Sequence, residues 1–287
     1  MTFVLQGRGD PLEIDPNGSA RIIGERINPS GRSRLRQALL EGDWEYVAAE
    51  ARRQVKAGAD VVDVNVGGKG IDEKAALPRA VEAVASAVTA PLSIDTRDPQ
   101  ALLAALDVCP GRPLVNSIGG EEKILTENLP LIAERSLPVI VLCMGQEGIP
   151  ADADGRLRVS HQVLDAAIRA GMKEEDVIFD PLVMTVGADD QAARVALESV
   201  RRLKKEFPRN SITGGASNVS FGMPDRSTLN ASFLTAACML GMNMPITDPT
   251  NPQLRAALLT ADIFLGRDRR LRRYMQSFRQ TMAQASA

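Results

Sequence analysis

One repeat constrains this chain more than anything else in it: short runs of β-branched and aliphatic residues alternate eight times with amphipathic stretches of helical period. The runs fall at residues 20–28, 60–66, 91–96, 113–118, 138–144, 176–182, 211–218 and 243–248. Between them, residues 33–57 predict one long helix closed by Gly58, and residues 73–89 a second. Asp98-Pro99 reads as the cap and first position of a third. Strands separated by helices pair in parallel through right-handed crossovers. Eight such units, spaced roughly 25–35 residues apart, predict an α/β fold, the (β/α)8 TIM barrel. The alternative, a doubly wound open sheet, usually carries a Gly-rich phosphate turn after its first strand. Gly24-Glu25-Arg26-Ile27-Asn28 is not such a turn.

No Pro/Gly/Ser-rich linker interrupts the repeat, so residues 20–266 read as one barrel. Residues 1–19 are an N-terminal extension, expected as a small hairpin or lid under the barrel. Residues 267–287 are an Arg-rich C-terminal tail, expected as a solvated helix on the outside. A formal net charge of -2 offers no general attraction to nucleic acid or to an anionic membrane. No apolar run approaches the roughly 20 residues that span a bilayer. The opening residues have neither the basic segment nor the apolar core of a signal peptide. Three cysteines, Cys109, Cys143 and Cys238, and a single histidine, His161, are too few and too scattered for a zinc cage or a disulfide framework. A Ser-His-Asp triad would have to commit His161. The expectation is a reduced, cytoplasmic enzyme.

Buried parallel strands are plain apolar runs, yet these runs carry polar residues at their C-terminal ends. Glu25 and Asn28, Asp63 and Asn65, Asp95, Asn116, Asp180, Ser217 and Asn218, and Asp248 follow one another along the chain. In a barrel all these ends share one face, the face on which barrel active sites are built. Each polar group, once buried, needs a partner, and one polar ligand shared by all supplies it. The ring holds no Lys, His or Cys, so covalent nucleophilic catalysis is not expected. Two ligands fit the set. Mg²⁺ takes oxygen ligands. A neutral heterocycle suits carboxylates that grip an N–H pair in bidentate fashion and amides that both donate and accept. The amides weigh toward the heterocycle, and no metal is expected.

Six strings stand in order at successive strand ends. They are Ile23-Gly24-Glu25-Arg26-Ile27-Asn28, Val62-Asp63-Val64-Asn65-Val66-Gly67, Ser93-Ile94-Asp95-Thr96, Val115-Asn116-Ser117, Phe179-Asp180-Pro181-Leu182 and Ser217-Asn218-Val219-Ser220. In these the chain resembles the pterin-binding methyltransferases, a family that includes methyltetrahydrofolate:corrinoid/iron-sulfur protein methyltransferases, the folate domain of cobalamin-dependent methionine synthase and methylcorrinoid:tetrahydrofolate methyltransferases. The resemblance implies a barrel of the dihydropteroate synthase-like, pterin-binding type, paired as a homodimer, with methyltetrahydrofolate or tetrahydrofolate as substrate in its C-terminal mouth. It implies that Asp95, Asn116 and Asp180 bind the pterin, Asp180 taking the exocyclic amino group and the neighbouring ring N–H. Asn218 matches the catalytic residue that hydrogen-bonds at N5, the atom carrying the methyl group. Ser217 and Asp63 are implied as further substrate contacts. Asn65, Glu25 and Asn28 line the same face, and Glu25 and Asn28 serve equally well as braces of their loops.

In this family the methyl group passes between N5 and the cobalt of a corrinoid, cobalamin, and the resemblance leaves the direction open. A cobalamin-carrying domain of that kind displays Asp-x-His-x-x-Gly, whereas His161 sits in Val159-Ser160-His161-Gln162. The corrinoid is therefore expected on a separate partner protein, and His161 on a helix surface or cap. Dihydropteroate synthase shares the Asp, Asn and Asp grip but needs basic residues at the last two strand ends. This chain has Ser217-Asn218-Val219-Ser220-Phe221 and Pro245-Ile246-Thr247-Asp248 there. A folate-binding barrel without transfer activity is the third reading.

Overall fold

The computed structural model describes residues 2–285. The chain opens on an antiparallel hairpin of β1 (Phe3–Leu5) and β2 (Leu12–Ile14). Eight strands follow: β3 (Ile23–Ile27), β4 (Val61–Val64), β5 (Leu92–Asp95), β6 (Leu114–Gly120), β7 (Val139–Gly145), β8 (Val177–Asp180), β9 (Ser211–Gly215) and β10 (Met244–Thr247). They pair in parallel in chain order, and β10 returns to β3 through Ile246 opposite Ile23, which closes the barrel. Around it run α1 (Ser33–Glu41), α2 (Trp44–Lys56), α3 (Glu73–Ala87), α4 (Pro99–Val108), α5 (Glu122–Glu134), α6 (Ala153–Arg169), α7 (Ala192–Glu206), α8 (Arg226–Leu240) and α9 (Pro252–Phe264). The alternation is that of a (β/α)8 barrel.

Residues 33–57 are two helices, not the one that periodicity predicts. Gly42 ends α1 in the left-handed conformation, φ +70°, which costs a residue without Cβ little. Asp43 then starts α2, its carboxylate accepting from the Tyr46 N–H at 3.1 Å. A stop and a start thus stand side by side within an unbroken apolar stripe. The Asp98 cap is present: its Oδ1 accepts from Gln100 N and Ala101 N, with Pro99 in the first turn.

Side chains two apart on a strand share a face, and that parity layers the barrel interior. Ile23, Val61, Leu114, Ile140, Ile178 and Met244 point inward near the strand starts. There they meet Phe3, Leu5 and Ile14, so the hairpin plugs the N-terminal end. Two positions on, the same faces carry Glu25, Asp63, Asn116 and Asp180. The intervening Val62, Val115 and Phe179 pack outward among the helices. The hairpin is fastened by Gln6 and Arg112, whose backbones exchange hydrogen bonds of 3.0 and 2.8 Å. Gly111 beside them has φ +79°, and a Cβ there would stand 2.4 Å from the Gln6 carbonyl oxygen.

The C-terminal helix α10 (Arg272–Ala285) is held to the barrel by Arg273, which pairs with the buried Asp262 at 2.5 Å. Asp262 also accepts from the Ala20 N–H at 3.2 Å. Met1 of the expected extension and residues 286–287 of the expected tail lie outside the described residues.

Candidate active site

The C-terminal ends of the strands gather the predicted polar residues into one mouth. Asp63 is its hub. Its Oδ1 accepts from the Ser93 hydroxyl at 2.6 Å and from the Asn116 amide nitrogen at 3.1 Å. The Asp95 carboxyl lies against it, and the Asn65 amide faces Asp95 in turn. Asp63 is 3% exposed, so it positions Asn116 and Asp95 more than it meets a ligand itself. Two carboxyls this close cannot both ionise freely. Burial raises both, Asp63 to about 6, and the neighbouring Asp63 charge drives Asp95 further up.

Asp180, across the mouth at the end of β8, accepts from the Leu182 N–H at 2.7 Å through Oδ1. Leu182 itself is left-handed, φ +64°, and its loop is clamped from below. The buried Arg156 donates to the Pro181 and Leu182 carbonyls at 2.7 and 3.0 Å. Burial lifts Asp180 to about 6 against the pull of the Leu182 N–H and the Arg156 charge.

On the β3–β9 side, strand β9 ends earlier than the sequence predicts. Residues 216–220 form a 3-10 turn instead, which carries Ser217 and Asn218 over the mouth. The Ser217 hydroxyl donates to Glu25 Oε1 at 2.6 Å. Asn218 is exposed on the rim, and Phe221 N closes the turn onto the Asn218 backbone carbonyl at 3.1 Å. Burial raises Glu25 to about 7, which the Ser217 hydrogen bond opposes and the Asp248 charge reinforces. Asp248 differs. Burial pushes it up too, but hydrogen bonds from Thr250 and Arg26 hold it below the usual range.

Asn28 and Asn65 stand higher on the same face. Each turns a side-chain oxygen back to its own loop, Asn28 to Ser30 N at 3.0 Å and Asn65 to Gly67 N at 2.8 Å. His161 lies on α6 outside the barrel, 3.2 Å from Glu206 and edge-on to Phe207. Among the described residues, no group of three or more His, Cys, Asp or Glu is arranged to hold a metal ion.

Sequence reasoning misses several residues that shape the mouth. Arg26 pairs with Glu50 at 2.9 Å and with Asp248 at 2.8 Å, while its backbone N–H donates to Gln54 at 2.9 Å. Ser93 supports Asp63, and Arg156 holds the Asp180 loop. Glu50 and Gln54 do carry a signal, two polar residues at helical spacing on the inner face of α2. Arg156 carries none, because its partners lie 25 and 26 residues away.

Buried carboxyls raised toward neutrality, with the Asn116 amide among them, make a cradle suited to a flat ring rich in N–H donors. Residues 24–248 match the family described as pterin binding enzymes. The chain belongs to that family. Along its sequence it is 30% identical over 261 residues to a methylcorrinoid:tetrahydrofolate methyltransferase from Eubacterium limosum, covering 90% of this chain and 96% of that one. It is 28% identical over 242 residues to a methionine synthase from Mycobacterium tuberculosis, of which it spans 20%. In shape it matches a dihydropteroate synthase from Yersinia pestis with TM-score 0.68, 19% identity and coverage of 91% and 98%. It matches one from Xanthomonas albilineans bound to 7,8-dihydropteroate with TM-score 0.68, 17% identity and the same coverage. The likeness to the synthases is one of fold. The likeness to methyltransferases runs through the sequence of nearly the whole chain.

Proposed function

We propose that this enzyme moves a methyl group between N5 of tetrahydrofolate and the cobalt of a corrinoid carried by a separate protein. The observation that carries the reading is the pairing of a buried grip with an open rim. Asp95, Asn116 and Asp180 sit deep, where a pterin's donors would reach them. Asn218 stands above them on the rim, where the reacting atom would be. The sequence relationship to a methylcorrinoid:tetrahydrofolate methyltransferase supports it.

Methyl on a tertiary amine leaves only if N5 gains positive charge. A reduced corrinoid supplies the nucleophile for the methyl group. The chain's own work is to hold the pterin and to stabilise N5 as its protonation changes. Asp180 turns its free oxygen to the amino group and ring N–H of the pterin. Asn116 reads the adjacent lactam edge. The Asn218 amide oxygen accepts from N5–H as the proton arrives, a placed dipole that strengthens in the transition state. The same site serves both directions, and the partner decides which one runs. His161, on an outer helix beside Glu206, is not placed to carry a corrinoid over the mouth, which supports a separate carrier. Met239 and Phe264, exposed on the neighbouring helices α8 and α9, support a homodimer joined there. Three free cysteines support work in the cytoplasm. Among the described residues no helix is long and apolar enough to cross a membrane.

The test is spectroscopic. Protein, methyltetrahydrofolate and cob(I)alamin are mixed without oxygen and conversion to methylcobalamin is followed, then the reverse with methylcobalamin and tetrahydrofolate. Asn218→Ala is expected to keep folate affinity within a few-fold and slow transfer roughly 10²-fold or more. Equal losses in affinity and rate would remove Asn218 from its role. Tight folate binding with no conversion in either direction would leave a binding-only barrel or a synthase.

A further inference from the structure

We propose that Glu25 is the proton store of this site and that Ser217 is the hydroxyl through which the proton reaches and leaves N5. The inference rests on the methyl-transfer reading above and names the group that reading lacks, the one that supplies and removes the N5 proton.

Five carboxyls stand in the mouth, and their partners separate them. Asp248 is paired with Arg26 and accepts from the Thr250 hydroxyl. Asp63 is saturated by Ser93, Asn116 and Asp95. Asp95 is locked against Asp63. Asp180 spends one oxygen on the Leu182 loop and faces the pterin with the other. Among the described residues, Glu25 has a single hydrogen-bond partner, a neutral hydroxyl, and no cation is bound to it. Arg26, next in the chain, turns to Glu50 and Asp248, and Arg32 acts on Glu25 only from a distance. The charged groups facing Glu25 are thus Asp248 and Asp63, which favour its neutral form, and Arg32, which opposes them. Burial makes it a carboxyl that gains and loses its proton close to neutral pH, the range in which a general acid-base group works best.

Its partner is equally placed. Ser217 immediately precedes Asn218 in the 3-10 turn. That turn is fixed by Arg226, which donates to the Ser217 carbonyl at 2.8 Å and to the Ser220 hydroxyl at 3.0 Å. A hydroxyl both accepts and donates, so it can take a proton from Glu25 and pass its own onward. When the methyl leaves folate, the C–N5 bond breaks and its electron pair stays on N5. The methyl goes to the corrinoid, N5 gains the proton, and Glu25 is left as carboxylate. In reverse, the N5 lone pair forms the C–N bond and the N5 proton returns through Ser217 to the Glu25 carboxylate. Solvent resets Glu25 between turnovers.

The experiment is single-turnover transfer to cob(I)alamin, and from methylcobalamin, across about pH 5.5–8.5, with folate affinity measured by calorimetry at each pH. Wild type, Glu25→Gln, Glu25→Asp and Ser217→Ala are compared. Transfer out of methyltetrahydrofolate by the wild type is expected to fall as pH rises through about 7. Glu25→Gln and Ser217→Ala should be slower by roughly 10²-fold and lose that limb, with affinity within a few-fold. Glu25→Asp should restore part of the rate and shift the limb. A Gln variant that keeps the wild-type pH limb, or one that loses affinity and rate in equal measure, would overturn the assignment. Should a variant fold poorly, proton release on tetrahydrofolate binding to the wild type in weak buffer is the second readout. Release that shows no dependence on pH around 7 would also overturn it. A wild type that transfers nothing would sink the methyl-transfer reading itself.

Discussion

At the N-terminal end of the barrel, Ile23, Val61, Leu114, Ile178 and Met244 meet Phe3, Leu5 and Ile14 of the hairpin as an apolar plug, every strand residue fully buried. Two positions along the same strands, Glu25, Asp63, Asn116 and Asp180 fill the same interior with carboxylates and an amide. The backbone is shared, so the contrast comes from side chains alone. Each fully buried apolar side chain at the lower end stabilises the fold by about 1.5–3 kcal/mol. At the upper end, burial works against the charged form and lifts Glu25 to about 7 and Asp63 and Asp180 to about 6. One end is closed by apolar packing, while the other gathers polar groups that hydrogen-bond to one another and, on the function proposed above, to a donor-rich ligand.

The substitution that should break this contrast most is Asp180→Asn. It keeps the acceptor for the Leu182 N–H but puts an N–H₂ where the proposed pterin contact needs a carboxylate oxygen. Two charge-assisted hydrogen bonds are worth about 1.5–3 kcal/mol each, so tetrahydrofolate affinity should fall roughly 10²–10⁴-fold by calorimetry. The urea midpoint of the ligand-free protein should rise, because a buried carboxylate is gone. A variant that bound normally would remove Asp180 from the grip. Leu5→Ala is the mirror experiment. Leu5 is fully buried in the plug, and the change should cost about 2–5 kcal/mol of unfolding free energy with folate affinity unchanged. Coupled loss of binding would mean that the two ends are not independent.

Much of the contrast is legible in the sequence. The polar residues at 25, 63, 95, 116, 180 and 248 break apolar runs at strand ends, and a barrel topology puts all strand ends on one face. Who partners whom is not legible there. Ser217 reaches Glu25 across 192 residues, and Arg26 reaches Asp248 across 222. Such contacts exist only once the barrel has closed. The break at Gly42 escapes for another reason: the buried Leu35, Ala38, Leu39, Val47, Ala48 and Ala51 keep an apolar stripe on both sides of it. Periodicity reports the face and not the interruption. The 3-10 turn at 216–220 hides likewise inside a plausible strand, and with it the placement of Asn218 on the rim.

pH sharpens the comparison further. A carboxyl raised in the folded state binds its proton more tightly there than when unfolded. Its contribution to stability is therefore complete below the ordinary carboxyl range, near pH 4, and is lost as pH rises through the folded value. For Asp63 and Asp180 that loss is complete above about 6, and for Glu25 above about 7. The ligand-free protein should weaken between about pH 4 and pH 7, on the order of 3 kcal/mol for each group. Urea midpoints across that range check this. Saturating tetrahydrofolate should flatten the curve. A midpoint that rose with pH would contradict the directions given to these carboxyls.

Ser93→Ala tests the seam between the two ends with the smallest effect. Ser93 is fully buried on β5, and its hydroxyl is one of two neutral donors to Asp63 Oδ1. Removing a donor from a buried carboxylate costs about 1–3 kcal/mol when the carboxylate is charged, and nothing comparable when it is protonated. The loss should thus be measurable at pH 8 and nearly absent at pH 5, the pattern of a group whose proton affinity has gone up. Folate affinity should fall less than tenfold, since Asn116 still has its acceptor. A loss of equal size at both pH values would mean that Ser93 fills space in the barrel and that Asp63 holds Asn116 and Asp95 without its help.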